Sequence, residues 1–491
     1  MTKRILAAAA MAALLATGCA NPSGIETTAK LREPQSLGLG AQVQAGAKAD
    51  ADAVAPDWWR AFGDPQLDAL VGQALAGSPN LKIAQARLAR ASAVTEVASA
   101  ATLPQVNGSL DLTRQQYTKN GAVPAPLAGS IRESGTLQLS ASWELDFFGR
   151  YQAALDAALG SVQAAKADEA AARVLLSSNV ARGYFQLARV DAQLEVARRA
   201  LAQREEQLRL VRDRVDAGLD TRLELRQSEG GLPDARQQIE ALQEQRALAR
   251  NALAALTGQP AQAASVEARP LAQAHPPATA AVLPADLIGR RADVVAARWR
   301  VEAAGHDIAN AKAQFYPNLN LVAFAGFSSI GLGRLLEPGS QQWGVGPALR
   351  LPIFEGGRLR ANLRGKTADY DAAVESYNAA VIDAVREVAD QVASTQSIAR
   401  QQAEQRSAQA AAEGAYEIAV QRYQAGLGNY LQVLGAESAV LAQRRLAVDL
   451  AARALDTQVG LMRALGGGYA ADAHFAAATK QENTTHRKEM P

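Results

Sequence analysis

The sequence predicts a mainly α-helical protein with a smaller, membrane-type β portion. Its unit is helix–strand–strand–helix–helix, and the unit occurs twice. Three observations carry this. First, Asn80–Leu110 and Asp293–Val322 run in register about 213 residues apart, with Ala91 on Ala304, Ala98 on Ala311 and Pro104 on Pro317. Second, four segments alternate apolar and polar residues with the period of a strand. Third, very long segments repeat their apolar residues in steps of three and four, the coiled-coil pattern. Further on, DRVDAGL (Asp213–Leu219) recurs as QRYQAGL (Gln421–Leu427), about 208 residues later. A repeat this long is a duplicated half, not a short-period solenoid. Two such halves are expected side by side around a pseudo-twofold axis.

The N-terminal elements set the compartment. Lys3 and Arg4 precede a short apolar run, Ile5–Leu15, so residues 1–18 read as a secretory signal. The run is too short for a stable membrane-spanning helix. Leu15-Ala16-Thr17-Gly18-Cys19 resembles a lipobox, which makes Cys19 the expected site of acylation (palmitate included) and residues 19–55 a lipidated N-terminal segment. The residue three before the cysteine is Ala16 rather than the usual Leu, and a plain cleaved signal with an incidental cysteine is the alternative. Cys19 is the only cysteine, so it makes no internal disulfide. Ala20 follows it, with no Asp to retain a lipoprotein at the inner membrane, so the outer membrane of a Gram-negative cell is the expected address. One lipid signal by itself anchors weakly. In 491 residues, 51 basic against 49 acidic side chains leave a net charge of +2, which implies no nucleic-acid partner. Aromatics make up only 5%, and long stretches are rich in Ala, Gln, Arg, Glu and Leu, as in long helices packed through small residues.

The first repeat is expected at 56–260, with strands at about 104–117 and 135–148. Val106, Gly108, Leu110 and Leu112 share one face of the first strand. Leu137, Leu139, Ala141, Trp143, Leu145 and Phe147 share one face of the second. The second repeat, 285–468, has strands at about 316–328 and 342–354. Leu319, Leu321, Ala323, Ala325 and Phe327 line one face, then Trp343, Val345, Leu349, Leu351 and Ile353. Each is about ten residues long, enough for a tilted strand to cross a bilayer. Tyr117, Trp143, Phe147, Phe148, Phe315, Tyr316, Trp343 and Phe354 cluster near the ends, as interfacial girdles do. A soluble sheet with one buried face shows the same alternation. Four strands cannot close a barrel, and an open edge in lipid leaves backbone groups unpaired at several kcal/mol each. In a membrane several chains must therefore share one barrel; three would supply twelve strands. Loops 118–134 and 328–342, rich in Gly, Pro and Ser, would face outward.

Each strand pair leads into a hairpin of long helices, expected at about 149–258 and 357–466. No convincing breaker interrupts 149–217, a helix of about 100 Å. Its seam is Leu187, Val190, Leu194, Ala197, Leu201, Leu208, Val211 and Val215, with Arg204 in the one polar slot. The returning helix carries Leu225, Leu232, Ala235, Ile239, Leu242, Ala249, Leu253 and Leu256; in the second half Leu434, Leu441, Val448 and Leu455 step by seven. Gly230-Gly231-Leu232-Pro233 predicts a kink or local unwinding in the first returning helix. Glycine turns, Ala217-Gly218-Leu219 and Ala425-Gly426-Leu427, mark the hairpin tips. Coiled coils this long attached to membrane strands make a periplasm-spanning object. Residues 261–284 form a Pro/Ala-rich connector that would wrap the equator, and 469–491 a flexible polar tail.

Catalytic chemistry finds no support in the sequence. His275, His306, His474 and His486 are scattered; HExxH and Cys/His clusters are missing; Gly356-Gly357 lacks the Lys-Ser/Thr of a phosphate loop. No enzyme activity, metal or cofactor is expected beyond a covalent lipid on Cys19.

Five stretches carry a resemblance: WWRAFGDPQLDALV (Trp58–Val71), SWELDFFGR (Ser142–Arg150), RRADVVAARWRVEAAGHDIANAKAQFYPNLNL (Arg290–Leu321), PIFEGGR (Pro352–Arg358) and RYQAGLGNYLQVL (Arg422–Leu434). On these the chain resembles the TolC-like outer-membrane factors, in particular the lipoprotein exit ducts of RND-type efflux systems (the NodT group). Ala292 departs from the family, which often has Pro between the Arg and the Asp. The resemblance implies a homotrimer with a twelve-stranded outer-membrane β-barrel continuous with a long periplasmic α-helical barrel. It implies a passive duct for small molecules, antibiotics among them, fed by an inner-membrane RND pump through a periplasmic adaptor. The tips at Gly218, Leu219, Gly426 and Leu427 would dock on that adaptor; read as helix ends alone, they are C-caps. Family members close the periplasmic end with polar contacts, often an aspartate ring after the second tip. Here that position is Gly435, and Asp220, Glu224 and Glu437 are the carboxylates nearest the entrance, although most charges on a coiled coil only sit on a solvated face. A type I protein-secretion duct of the same fold is the alternative function. A coiled-coil surface stalk is a third reading, which the internal repeat speaks against.

Overall fold

The computed structural model describes residues 22–32, 54–274 and 290–469. The predicted signal, Cys19, most of the 19–55 segment, the end of the connector with His275, and the tail with His474 and His486 lie outside the described residues. Eleven longer elements run in the order α1 (Pro65–Gly77), α2 (Pro79–Ala100), β1 (Gln105–Gln116), β2 (Ile131–Leu145), α3 (Arg150–Asp216), α4 (Arg222–Leu256), α5 (Ala292–Ala313), β3 (Asn318–Ile330), β4 (Gln341–Arg350), α6 (Arg358–Gln424) and α7 (Tyr430–Ala464). The duplication is kept to the residue in the helices: α3 and α6 are both 67 residues, and α4 and α7 both 35.

Two compact units do not coincide with the two repeats. Of the described residues, one unit takes Arg87–Ala165, Ala297–Tyr377 and residues 22–31; the other takes residue 32, 54–86, 166–274, 290–296 and 378–469. Each therefore draws on both copies of the repeat.

The first unit holds a four-stranded antiparallel sheet in the order β1-β2-β3-β4. Its register sets the predicted apolar residues side by side. Val106 pairs with Ala141, Ala141 with Ala323, and Ala323 with Val345; Leu139 pairs with Ala325, and Ala325 with Trp343. Leu139, Val345, Leu349 and Trp343 on that face are exposed. The opposite face pairs Ser109 with Gln138 and Thr136 with Ser328, and Gln342 donates to Gln138 at 3.1 Å. Exposed apolar surface on this scale marks contact with lipid or another protein.

Strand limits differ from the sequence expectation. β2 begins at Ile131, not 135, because Gln116 pairs with Ile131 and carries the ladder outward. It ends at Leu145, not 148, because the Asp146 carboxylate accepts the backbone N–H of Arg150 at 2.7 Å and of Gln152 at 2.8 Å, capping α3. That leaves Phe147 and Phe148 outside the strand, with Phe148 stacked on Tyr316 at 4.8 Å. β3 starts at Asn318 because Phe315 and Tyr316 still hydrogen-bond back to Lys312 and Ala313. β4 stops at Arg350, which pairs with Asn318 at the start of β3, so the ladder ends where its partner strand begins.

The second unit packs the seam residues inward. Leu187, Val190, Leu194 and Val211 on α3, and Ile239, Leu242 and Leu253 on α4, are all buried. Pro233 does not unwind its helix: α4 is continuous through it. The unit's core gathers Trp58, Trp59 and Phe62 against Phe185, Val180 and Leu455, with Phe62 and Phe185 rings 5.0 Å apart. Asp64 caps α1 by accepting from Gln66 N–H, and its other oxygen accepts from the buried Tyr184 hydroxyl at 2.6 Å. The same hydroxyl accepts Arg269 N–H at 2.8 Å, tying the connector to α3.

The Arg291-Ala292-Asp293 turn explains why the missing Pro is tolerated. Asp293 holds the Arg291 guanidinium with both oxygens, at 3.1 and 2.7 Å. The same buried guanidinium reaches Glu387 on α6 at 2.9 Å and the Ala464 carbonyl at the end of α7 at 3.3 Å. The motif is a clamp of side chains rather than a turn of fixed φ. Arg291→Ala leaves Glu387 to Arg463 alone, 3.2 Å away, and removes the hydrogen bonds to Asp293 and the Ala464 carbonyl, so a loss of about 1.5–3 kcal/mol is expected in chemical unfolding followed by circular dichroism.

Candidate gate and docking tips

Each tip is a Schellman turn. At the first, Leu219 N–H reaches the Arg214 carbonyl at 2.8 Å and Gly218 N–H that of Val215 at 3.0 Å; at the second, Leu427 reaches Arg422 at 2.8 Å and Gly426 reaches Tyr423 at 3.0 Å. Gly218 and Gly426 sit at φ 73 and 74, where a side chain is strained and glycine is not. The C-cap reading of these glycines is thus their local role. Beyond it, each tip presents two exposed leucines four residues apart: Leu219 with Leu223, and Leu427 with Leu431. Their matched placement makes two apolar points of similar shape.

The three carboxylates have three different environments. Glu224 is consumed locally. It sits at N3 of α4 and accepts from the Thr221 backbone at 2.9 Å in a capping box. The Thr221 hydroxyl also bonds it and is the main cause holding its carboxyl below the ordinary range.

Asp220 is the centre of a cluster that joins the two hairpins. Arg214 on α3 donates to it through Nε at 2.9 Å and Nη2 at 3.4 Å, and the Tyr423 hydroxyl on α6 donates to Oδ2. The Arg214 guanidinium lies over the Tyr423 ring, 4.6 Å from its centre, and reaches the Gln424 carbonyl at 3.4 Å. Both charged side chains are nearly buried, at 12% and 10% exposure. Burial pushes the Asp220 carboxyl up, but the hydrogen bonds from Arg214 and Tyr423 outweigh it and hold the group below the usual carboxylate range. Burial and the adjacent carboxylate push the Tyr423 hydroxyl well up, so it stays a donor. Beneath it Val211, Tyr430 and Val433 form an apolar floor.

Glu437 lies deeper and is not at an open entrance: its side chain is 2% exposed. It accepts from Arg204 Nε at 2.9 Å, and Arg204 Nη1 donates to the Gly231 carbonyl at 2.8 Å. Arg204, the polar slot in the seam, thereby touches α4 and α7 together. Cys19 lies outside the described residues.

Arg214 and Tyr423 were not picked out from sequence, yet a signal was present. The tip motifs differ at Val215 against Tyr423 and at Asp220 against Gly428, both about 208 residues apart. The contact between hairpins uses the odd member of each pair.

The model of the family described as outer membrane efflux protein matches residues 70–259 and 283–467. The fusaric acid resistance protein FusA of Burkholderia cepacia is 41% identical over 372 residues, covering 75% of this chain and 70% of the relative. The pyoverdine export outer membrane protein OpmQ of Pseudomonas aeruginosa is 35% identical over 447 residues, covering 89% and 94%. The crystal structure of the outer membrane protein VceC from Vibrio cholerae superposes with a TM-score of 0.79 at 36% identity, covering 85% of this chain and all of that one. With a family model across both repeats and relatives matched over most of their length, this chain belongs to the outer membrane efflux protein family, as a channel and not an enzyme.

Proposed function

We propose that the chain is the outer-membrane exit duct of a tripartite pump. Three copies share one twelve-stranded barrel and one periplasmic helical barrel, and they carry small toxic molecules or other exported compounds delivered by an inner-membrane RND pump and a periplasmic adaptor. The observation that carries this reading is the sheet. It has one exposed apolar face, one polar face, and two outer strands, β1 and β4, that run in opposite directions. A β1 edge therefore meets a β4 edge of the next copy antiparallel, and a closed ring leaves no edge in lipid. Relatives named for multidrug resistance, fusaric acid resistance and pyoverdine export support small cargo.

Closure is assigned to the Arg214–Asp220–Tyr423 cluster, with Glu224 fixing the start of α4 beside it and Glu437 further in. The leucine-bearing tips at Gly218–Leu219 and Gly426–Leu427 are the adaptor-docking points, and an acyl group on Cys19 adds a second hold on the membrane. Purified protein in detergent is expected to have the mass of three chains and a low single-channel conductance in a planar bilayer. A monomer without conductance would return the sheet to a soluble role.

A further inference from the structure

We infer that Arg204 is a positioning residue for the gate: with Glu437 and the Gly231 carbonyl it forms a buried node that holds the two hairpins in the alignment Asp220 needs to meet Tyr423. The inference rests on reading the tip cluster as the gate.

Three levels of polar contact join the hairpins near the tips. Outermost is Asp220 with Arg214 and Tyr423. Further in, Gln207 on α3 donates to the Tyr416 hydroxyl on α6. Innermost, Arg204 on α3 takes Glu437 on α7 and the Gly231 carbonyl on α4. Arg204 precedes Arg214 by ten residues, about 15 Å of helix. Glu437 is seven residues into α7 and Gly231 nine into α4, a similar distance from their own tips.

The node is unlike the outer contact in two respects. It is enclosed, with Glu437 1% exposed, so solvent cannot replace the guanidinium. It also binds three helices through one planar side chain, whose separate donors point in set directions. An apolar seam tolerates small axial slips; a single buried polar contact specifies one register. Slippage of α7 against α3 and α4 would move Tyr423 away from Asp220, because Tyr423 and Tyr430 pack together across the second tip at 5.6 Å. The duplicated position argues that this is not inherited packing. Glu229, about 208 residues before Glu437, is only half-buried and pairs inside its own hairpin, with Arg226 on its own helix at 2.9 Å and Arg212 on α3 at 3.7 Å. Only the second copy turned its glutamate inward onto the other hairpin.

The test uses spin-label distances in the full assembled protein. One label pair is at Leu219 and Leu427 on the tips; a second is at Arg198 and Ser407, further from the tips than the node. Variants are Asp220→Asn and the double Arg204→Met, Glu437→Met, in which an apolar pair replaces the ion pair so that the fold is kept. Asp220→Asn should broaden the tip pair only. The double variant should broaden the tip pair although Arg214, Asp220 and Tyr423 are intact, and raise the closed-channel leak about tenfold, the factor for one charge-assisted hydrogen bond. Should the double variant fail to fold, Arg204→Lys serves, since one ammonium cannot span both acceptors as the planar fork does. Tip distances as narrow as wild type in these variants overturn the node while Asp220→Asn still broadens them. If Asp220→Asn itself leaves the tips narrow, the gate reading falls first.

Discussion

Asp220→Ala is expected to open the closed channel. The substitution removes the acceptor for Arg214 and for the Tyr423 hydroxyl at once. Of these only the Tyr423 bond crosses between the hairpins, and one charge-assisted hydrogen bond in a nearly buried site contributes about 1.5–3 kcal/mol, so a closed state weakened by roughly 2 kcal/mol is expected. That is about a thirtyfold shift in the closed-to-open ratio, read as open probability in single-channel recordings. Asp220→Asn keeps the shape and loses the charge, so a smaller shift in the same direction is expected. Acid provides a second handle with a defined sign. The Asp220 carboxyl is held below its ordinary value of 3.8 in this structure, so its contribution is complete above 3.8 and is lost only as the pH falls further. Leak through the wild type should therefore stay level between about pH 5 and pH 8. A leak that rises with acid across that range would assign closure to some other group.

Leu139→Arg is expected to prevent assembly, whereas Ser140→Arg is expected to be tolerated. Leu139 is exposed on the apolar face, in the row with Ala325 and Trp343. Ser140 is its neighbour on the polar face, opposite Asn107 and Phe324. Charge on a lipid-facing strand position at the bilayer midplane costs about 2–4 kcal/mol, and every copy in a shared barrel bears it. Leu139→Arg should lose most of the assembled species from the outer-membrane fraction, measured as oligomer resistant to detergent at low temperature. Ser140→Arg should retain it and alter ion selectivity. The reverse ranking would mean that the apolar face lines the lumen.

Much of the architecture is legible without coordinates because it is periodic. Leu187 through Val215 on one seam, and Leu137 through Trp143 on one strand face, announce their partners' chemistry by spacing alone. Strand ends were less legible. Asp146 ends β2 by capping a helix, and the Ile131 start depends on a partner strand; neither is a property of the segment itself. Arg204 shows where the boundary lies. Its place in the seam is plain from the heptad, and a polar residue there calls for a partner. Which partner it takes depends on which helix of the other copy packs against it, more than two hundred residues away.

The sequence by itself determined the duplication, the four alternating strands, the two helical hairpins and their glycine tips, since each follows from a local period or from backbone freedom at one residue. Only the tertiary structure decided that Asp220 meets Tyr423, that Glu437 is buried on Arg204, and that Glu224 is spent on a helix cap. Periodicity gives the face on which a side chain lies. The contact it makes across that face depends on the axial register between hairpins, and a repeating apolar seam leaves that register open until buried polar groups choose it.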